Sequence, residues 1–318
     1  MKAAFLDFAT VGSDELDDSP LRNLTDEFEV YDNTPADEVV SRIDGIEFVY
    51  VNKIRMTREI IEDASSLKFI GLVATGVDNV DLEAAKERDV AVCNIRAYCT
   101  NSVVEHVFAM LLSLNHSLGP YHQSVRRGDW ANAVNFCMLG YPLRELAGKR
   151  IGIVGYGELG RGVARVAEAF GMNVLISKRP GTHGADPNRM DLEEVLCTCD
   201  VLSLHCPLTE DTAGLIGEAE LDQMKDTAIL INTARGGLVN SAALVEALGN
   251  RTIAAAGIDV LSHEPPVNGD PLLDYDGDNL IITPHIAWAT VEARQNAINE
   301  VAANVAAYLN GEARNRVV

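Results

Sequence analysis

The sequence predicts an α/β protein of two Rossmann-like, doubly wound domains, with the nucleotide-binding domain inserted into the other. Three observations carry this. Short apolar runs alternate with helix-patterned segments over both halves of the chain. An apolar run, Ile151 to Val154, opens into Gly155-x-Gly157-x-x-Gly160 near the middle of the 318 residues. A last helical pattern, Val291 to Leu309, follows once that central block has ended. A central fingerprint is most simply explained by one domain wrapped around another, with 1–99 and 286–318 outside and 100–285 inside.

In chain order, Met1-Lys-Ala-Ala-Phe-Leu-Asp-Phe8 reads as a first strand and the acidic Asp14-Glu-Leu-Asp-Asp18 as a loop. A signal peptide would need a longer apolar core and a cleavage site. Phe48 to Val51 and Phe69 to Val73 fit strands, whereas Arg58 to Ala64 and Leu82 to Glu87 fit helices. Thr100 to Leu114 reads as a long, largely buried helix with Thr100 or Asn101 as its N-cap. The segment Gly119 to Leu143 after it is rich in aromatic residues: Tyr121, Trp130, Phe136 and Tyr141. Six candidate strands follow: Ile151 to Val154, Asn173 to Ile176, Val201 to Leu204, Ala228 to Ile231, Ala255 to Asp259 and Leu280 to Thr283. Helices fit between most of them, and six strands with the fingerprint on the first describe a complete Rossmann domain.

The fingerprint has a physical reading. Gly155 permits a tight turn, Gly157 lets the backbone approach a pyrophosphate, and Gly160 lets helix and strand pack closely. The helix that starts at Glu158 and Leu159 then offers free N–H groups and a partial positive charge to the phosphates. Elsewhere the composition excludes more than it assigns. A formal net charge of −21 disfavours nucleic-acid and anionic membrane partners. Apolar runs are too short to span a bilayer. The six cysteines (93, 99, 137, 197, 199 and 206) form no C-x-x-C pair, so reduced thiols in a cytoplasm are expected, with no metal site.

Three polar residues stand at strand ends or turns in the second half. Arg235 follows an apolar strand, where open α/β sheets place ligands, and a guanidinium fork suits a carboxylate. His285, in Thr283-Pro-His285, is the side chain best able to exchange a proton near neutral pH. Glu264 precedes Pro265 and Pro266, and a carboxylate bonded to His285 would orient the ring and favour its protonated form. Each has a plainer alternative: a surface charge, a loop residue, a satisfied histidine at a strand end.

At these residues the chain resembles the D-isomer-specific 2-hydroxyacid dehydrogenases. The resemblance is carried by Ala74-Thr-Gly-Val-Asp-Asn-Val-Asp81, Thr100-Asn-Ser-Val-Val-Glu-His106, Val154-Gly-Tyr-Gly-Glu-Leu-Gly160 and Leu204-His-Cys-Pro-Leu208. It continues through Ile231-Asn-Thr-Ala-Arg-Gly-Gly237, Gly257-Ile-Asp-Val260, Glu264-Pro265 and Thr283-Pro-His285. Asn94-Ile-Arg-Ala-Tyr98, His285-Ile-Ala-Trp-Ala289 and Arg314-Asn-Arg-Val-Val318 resemble the glycerate dehydrogenase or hydroxypyruvate reductase branch in particular. The resemblance implies that His285 protonates a keto oxygen as hydride arrives, that Glu264 holds His285, and that Arg235 grips the substrate carboxylate. It implies that the N–H groups around Thr75 and Gly76 complete carboxylate binding, with Asn52 and Lys53 reaching the same cleft. Asp259, Cys206, Thr233, Ala234 and Val104 would border the cofactor, and the helix and arm after Thr100 would join two subunits into a homodimer.

Cofactor choice departs from the NAD pattern, which places Asp or Glu at the end of the second strand about 20 residues after the glycines. Here that end reads Ile176-Ser177-Lys178-Arg179-Pro180, with two cations able to pair with a 2′-phosphate, so NADP(H) is expected over NAD(H). The alternative is NADH held by main-chain groups and Ser177. The overall expectation is a reductase of small 2-ketoacids, hydroxypyruvate or glyoxylate. A nucleotide-sensing co-regulator on the same fold and a dehydrogenase of formate or phosphite are the rivals.

Overall fold

The computed structural model describes residues 1–12, 15–179, 186 and 188–318. Asp14 of the acidic run and Pro180 of the cofactor loop therefore lie outside the described residues. The chain divides into two compact units, Met1–Cys99 with Trp288–Val318, and Thr100–Ala287. Residues 1–99 form β1 (Lys2–Phe5), α1 (Ser19–Arg22), β2 (Glu27–Val30), α2 (Val39–Arg42), β3 (Phe48–Val51), α3 (Arg58–Asp63), β4 (Phe69–Leu72), α4 (Leu82–Glu87) and β5 (Ala91–Cys93). Residues 100–287 form α5 (Thr100–Asn115), α6 (Leu118–Arg127), β6 (Arg150–Val154), α7 (Glu158–Ala169), β7 (Asn173–Ile176), α8 (Leu192–Thr198), β8 (Val201–Leu204), α9 (Glu218–Gln223), β9 (Ile229–Asn232), α10 (Ser241–Gly249), β10 (Ala255–Ile258) and β11 (Leu280–Ile282). The final helix is α11 (Val291–Leu309). Among the described residues no helix is long and apolar enough to cross a membrane.

The first unit is a parallel sheet in the order β2-β1-β3-β4-β5. Its inner strands β3 and β4 read as unbroken apolar runs because both faces are covered. Ala4, Val49, Val51, Ile70, Leu72 and Val92 meet Ile61, Ala84 and Ala85 of α3 and α4. The alternating residues Phe5, Phe48, Tyr50 and Phe69 meet Ala297, Ile298, Val301 and Val305, which recur at helical spacing along α11. Thr57, Asp81 and Thr290 cap α3, α4 and α11 by accepting N–H bonds three residues on. The edge strand β2 alternates exposed Glu27 and Glu29 with half-buried Phe28 and Val30. The far edge at β5 is closed by the chain itself: Cys93 pairs with Arg316, and the Val317 N–H donates to the Val92 carbonyl at 2.7 Å.

The second unit is also wholly parallel, in the order β11-β10-β9-β8-β6-β7. Its strand order turns between β6 and β8, the crevice where ligands bind in such sheets. The six expected strands are present, shifted by at most one residue at either end. The third strand in sequence, β8, lies on the side of β6 away from β7. The place beyond β7 holds a single parallel rung between Ser177 and Met190. Val104 and Phe108 of α5 pack on α7, where Val104 lies against Gly162 and the Phe108 ring stacks on Phe170 at 5.3 Å. None of the six cysteines is in a disulfide, and burial pushes Cys93 up to about 11 and Cys199 to about 12.

One buried charge organises the sheet in the first unit. Asp7 follows β1 at the point where the strand order turns, and is 2% exposed. Its carboxylate accepts N–H bonds from Asn52 (2.9 Å), Lys53 (2.6 Å) and Ile54 (3.0 Å) in the loop after β3. Burial raises its carboxyl above the ordinary value, against the pull of those three N–H donors. Removing the acceptor leaves buried N–H groups unpaired at roughly 1–3 kcal/mol each. Asp7→Ala should lower the first thermal unfolding midpoint by at least ~4 °C, with Asp7→Asn, which keeps one acceptor oxygen, falling less. A calorimetric midpoint unchanged in the alanine variant would show that this loop does not need the carboxylate.

Candidate active site

The β6–α7 turn is shaped by what its glycines lack. Gly155 has φ 95°, and a Cβ there would sit 2.5 Å from the backbone of His205 and Cys206 at the end of β8. A Cβ on Gly160 would strike the Gly155 carbonyl, whereas one on Gly157 would meet nothing. Gly157 thus leaves open space directly before α7, whose N-cap carries no side-chain hydrogen bond. The first-turn N–H groups, beginning at Glu158 and Leu159, have no acceptor within the helix. Open space before a helix N-terminus suits an anion such as a pyrophosphate. The Glu158 carboxylate itself accepts from the Thr100 hydroxyl, and Leu159 is partly buried.

Residues at neighbouring strand ends are apolar or have unspent polar atoms. Cys206 is 5% exposed and burial raises its thiol. Thr233 follows β9, and its buried Oγ1 has no hydrogen-bond partner among the described residues. Ala234 is partly buried beside it. His205, which sequence reasoning passed over, pairs its Nε2 with the Ser203 hydroxyl at 2.8 Å, and burial pushes its imidazole down to about 4. An open cradle, a helix N-terminus and an orphaned hydroxyl together suit a dinucleotide. At the end of β7 the buried Ser177 hydroxyl donates to the Lys178 carbonyl. Lys178 Nζ lies 2.7 Å from Asp191 Oδ1, and Arg179 is exposed.

Arg235, Glu264 and His285 stand on three loops of the second unit. Asn232, wholly buried at the end of β9, accepts from the Ala234 N–H (3.0 Å) and donates to the Arg235 carbonyl (2.9 Å). This Asx clamp fixes the turn that presents Arg235. A Cβ on Gly236 would collide with the backbone of Leu261 and Ser262, so only glycine lets that turn lie against the Glu264 loop. Glu264 uses both oxygens: Oε1 accepts from the Leu261 N–H at 2.8 Å, and Oε2 lies 2.5 Å from His285 Nδ1. Both side chains are about one-third exposed, at 33% and 31%. Glu264 and His285 therefore lie together as a hydrogen-bonded pair.

Asp259 holds the backbone around His285. It lies just past β10 with its side chain wholly buried. Oδ1 accepts from the Thr283 hydroxyl (2.5 Å) and the Ile286 N–H (2.9 Å), and Oδ2 from the Ala287 N–H (2.9 Å). Its carbonyl accepts the His285 N–H at 2.7 Å. The single Thr283 proton is spent on Asp259, so His106 Nε2, 2.9 Å away, must be the donor to Thr283. His106 and Asn232 were missed as positioning groups, although an Asn ending an apolar strand run is a recognisable clamp signal.

Asn52, Lys53, Thr75 and Gly76 belong to the first unit. The Asn52 amide donates to Thr10 Oγ1 at 3.0 Å, and Lys53 is exposed. Thr75 is exposed and Gly76 partly buried, and the Thr75 carbonyl accepts from Asn94 Nδ2 at 2.7 Å. Among the described residues no group of three or more His, Cys, Asp or Glu could hold a metal ion.

Residues 108–287 match the family model described as D-isomer specific 2-hydroxyacid dehydrogenase, NAD binding domain. The chain is 45% identical to a glycerate dehydrogenase of Methylorubrum extorquens, over 93% of each sequence. It is 39% identical to a hydroxypyruvate reductase of Blautia hydrogenotrophica, over 100% of this chain and 99% of the relative. Among solved structures, a Thermus thermophilus protein superposes with a TM-score of 0.86 at 35% identity, with both chains fully covered. An acyclic imino acid reductase in complex with NADPH and D-Arg also gives 0.86, at 29% identity and full coverage. With more than half the chain matched by that model and a relative at 45% identity almost throughout, this chain belongs to the D-isomer specific 2-hydroxyacid dehydrogenase family.

Proposed function

We propose that this oxidoreductase reduces hydroxypyruvate or glyoxylate to the 2-hydroxyacid, using NADPH in preference to NADH. The observation that carries the catalytic reading is the 2.5 Å contact between Glu264 and His285 Nδ1, beside the clamped Arg235 turn of the same unit. With Nδ1–H held by the carboxylate, the proton delivered to the keto oxygen is the one on Nε2. Arg235 binds the substrate carboxylate through its fork and polarises the adjoining carbonyl. In the first unit, the family resemblance assigns the N–H groups around Thr75 and Gly76, with Asn52 and Lys53, to substrate binding. Bound nicotinamide supplies the hydride to the keto carbon. Gly155, Gly157, Glu158, Leu159 and Gly160 hold its pyrophosphate, and Cys206, Thr233, Ala234, Asp259 and Val104 border the remainder of the cofactor. The names of the Methylorubrum and Blautia relatives support the substrate class.

Turnover of both ketoacids tests this directly. His285→Ala should lose most activity while still binding dinucleotide. Glu264→Gln keeps the side-chain shape but removes the charged acceptor that orients the His285 ring, so kcat for both ketoacids should fall at least tenfold. Parental kcat in the glutamine variant would refute the pairing.

The cofactor preference rests on Lys178 and Arg179 in place of an acid at the end of β7, with Ser177 behind them. A 2′-phosphate there gains charge-assisted hydrogen bonds. The ratio of kcat/KM for NADPH to that for NADH should exceed one in the parent and swing towards NADH in Lys178→Asp. A ratio that does not move in the variant counts against Lys178.

We infer a homodimer, and the surface that begins at α6 supports it. Trp130, Phe136 (90% exposed), Val134 (100% exposed), Leu139 and Leu143 stand out together on a short stretch. Such a run of exposed apolar side chains belongs in an interface. Six cysteines outside any disulfide suit a reducing cytoplasm. Light scattering at micromolar concentration should give twice the 34.4 kDa of one chain. A monomer mass would remove this assignment.

A further inference from the structure

The end of β7 holds a group that the cofactor reading leaves unused. Backbone bonds tie the segment before α8 to β7: Lys178 N–H donates to the Met190 carbonyl at 2.8 Å, and Met190 N–H donates to the Ile176 carbonyl at 2.9 Å. This two-bond ladder fixes the register, so Asp191 always emerges beside Lys178. Its carboxylate meets Lys178 Nζ at 2.7 Å. Asp191 is also the N-cap residue of α8, with the extended backbone a cap requires (φ −62°, ψ 149°), yet its side chain makes no capping bond. Aspartate is among the best N-cap residues. Here its carboxylate has been turned away from the helix and spent on the lysine.

We propose that Asp191 is a specificity-determining residue that competes with the 2′-phosphate of the dinucleotide for Lys178, so that NADP(H) is favoured less than the two cations alone would allow. The inference rests on the reading that Lys178 receives that phosphate. The physics is a substitution of one anion for another. An arriving 2′-phosphate must displace the Asp191 carboxylate and meets its charge at close range. NAD(H), with a neutral 2′-hydroxyl, leaves the ion pair intact. Asp191 is 64% exposed, so the pair is screened and the competition is modest. A displaced Asp191 can rotate onto the free N–H groups of α8, which offsets part of the cost. The same residue then serves as lysine partner in one ligand state and helix cap in the other.

The test is equilibrium binding of NADP⁺ and NAD⁺ to the full chain, read by quenching of intrinsic fluorescence, in the parent, Asp191→Asn, Lys178→Ala and the double variant. Asparagine is as good an N-cap residue as aspartate, so the substitution removes the charge while keeping a side chain able to cap α8. In Asp191→Asn, NADP⁺ should bind about three- to tenfold tighter with the Kd for NAD⁺ unchanged, as loss of one exposed competing ion pair predicts. In the Lys178→Ala background the gain from Asp191→Asn should shrink, because no lysine remains to be released. Equal tightening of both dinucleotides, or of neither, overturns the competition while leaving Lys178 as a phosphate ligand if Lys178→Ala still weakens NADP⁺. Lys178→Ala with parental NADP⁺ affinity would overturn the cofactor reading itself and the inference with it.

Discussion

A parallel sheet ends in loops whose first backbone N–H groups are buried and need acceptors, and in each unit of this protein a buried aspartate supplies them. In the first unit Asp7 gathers the N–H groups of Asn52, Lys53 and Ile54. In the second, Asp259 gathers those of Ile286 and Ala287 together with the Thr283 hydroxyl. A carboxylate can do this because it has two oxygens and several lone-pair directions, whereas a backbone carbonyl faces only one way. Taking such a charge out of water is costly, and the donors make that tolerable. Both aspartates stand at strand ends, so loops that carry substrate and acid candidates are built on fixed points.

The consequence is clearest at His285. Its φ of 57° places it in the left-handed region, which a non-glycine residue occupies only when its surroundings hold it there. The bonds from Asp259 to the backbone on either side of the imidazole do that holding. Glu264 then fixes the ring through Nδ1, and its second oxygen is anchored to the Leu261 N–H. Gly236, by omitting a side chain, lets the Arg235 turn lie against the Leu261 backbone. The three functional candidates are therefore located by backbone contacts, one asparagine clamp and the Glu264–His285 bond.

Most of this architecture is legible in the sequence because burial on both faces writes parallel strands as unbroken apolar runs. Phe48 to Val51 and Val201 to Leu204 are found with the boundaries that the sequence predicts. The edge strand β2, Glu27-Phe-Glu-Val30, is not legible, because half of it faces water and it spans only four residues. β5 is missed for its brevity, and α6 because aromatic content drew the reading towards a surface rather than a helix. The Glu264–His285 pair is foreseeable from residue chemistry and the resemblance combined. Asp7, Asn94 and Asn232 are not, since a polar residue that satisfies a distant backbone leaves no local pattern. The loop after β7 shows the same limit: Lys178 reads as a lone cation until Asp191, 13 residues on, is seen against it.

The chain that closes the β5 edge also carries a polar relay. Arg314 grips Glu300 through two bonds at 2.9 Å and donates to Asn304 Oδ1 at 2.5 Å. Asn304 donates to the Asn94 carbonyl at 2.8 Å, and Asn94 donates in turn to the Thr75 carbonyl. Five residues from two distant stretches of the chain thus share one set of donors and acceptors. Groups that share partners do not vary independently, and their individual costs do not add. Once Asn304 is replaced, Arg314 has already lost a partner and a second change there takes away less. In a library of variants this relay would behave as a single epistatic block. The residues that govern the Thr75 loop would then include a C-terminal arginine that no inspection of the loop itself would nominate.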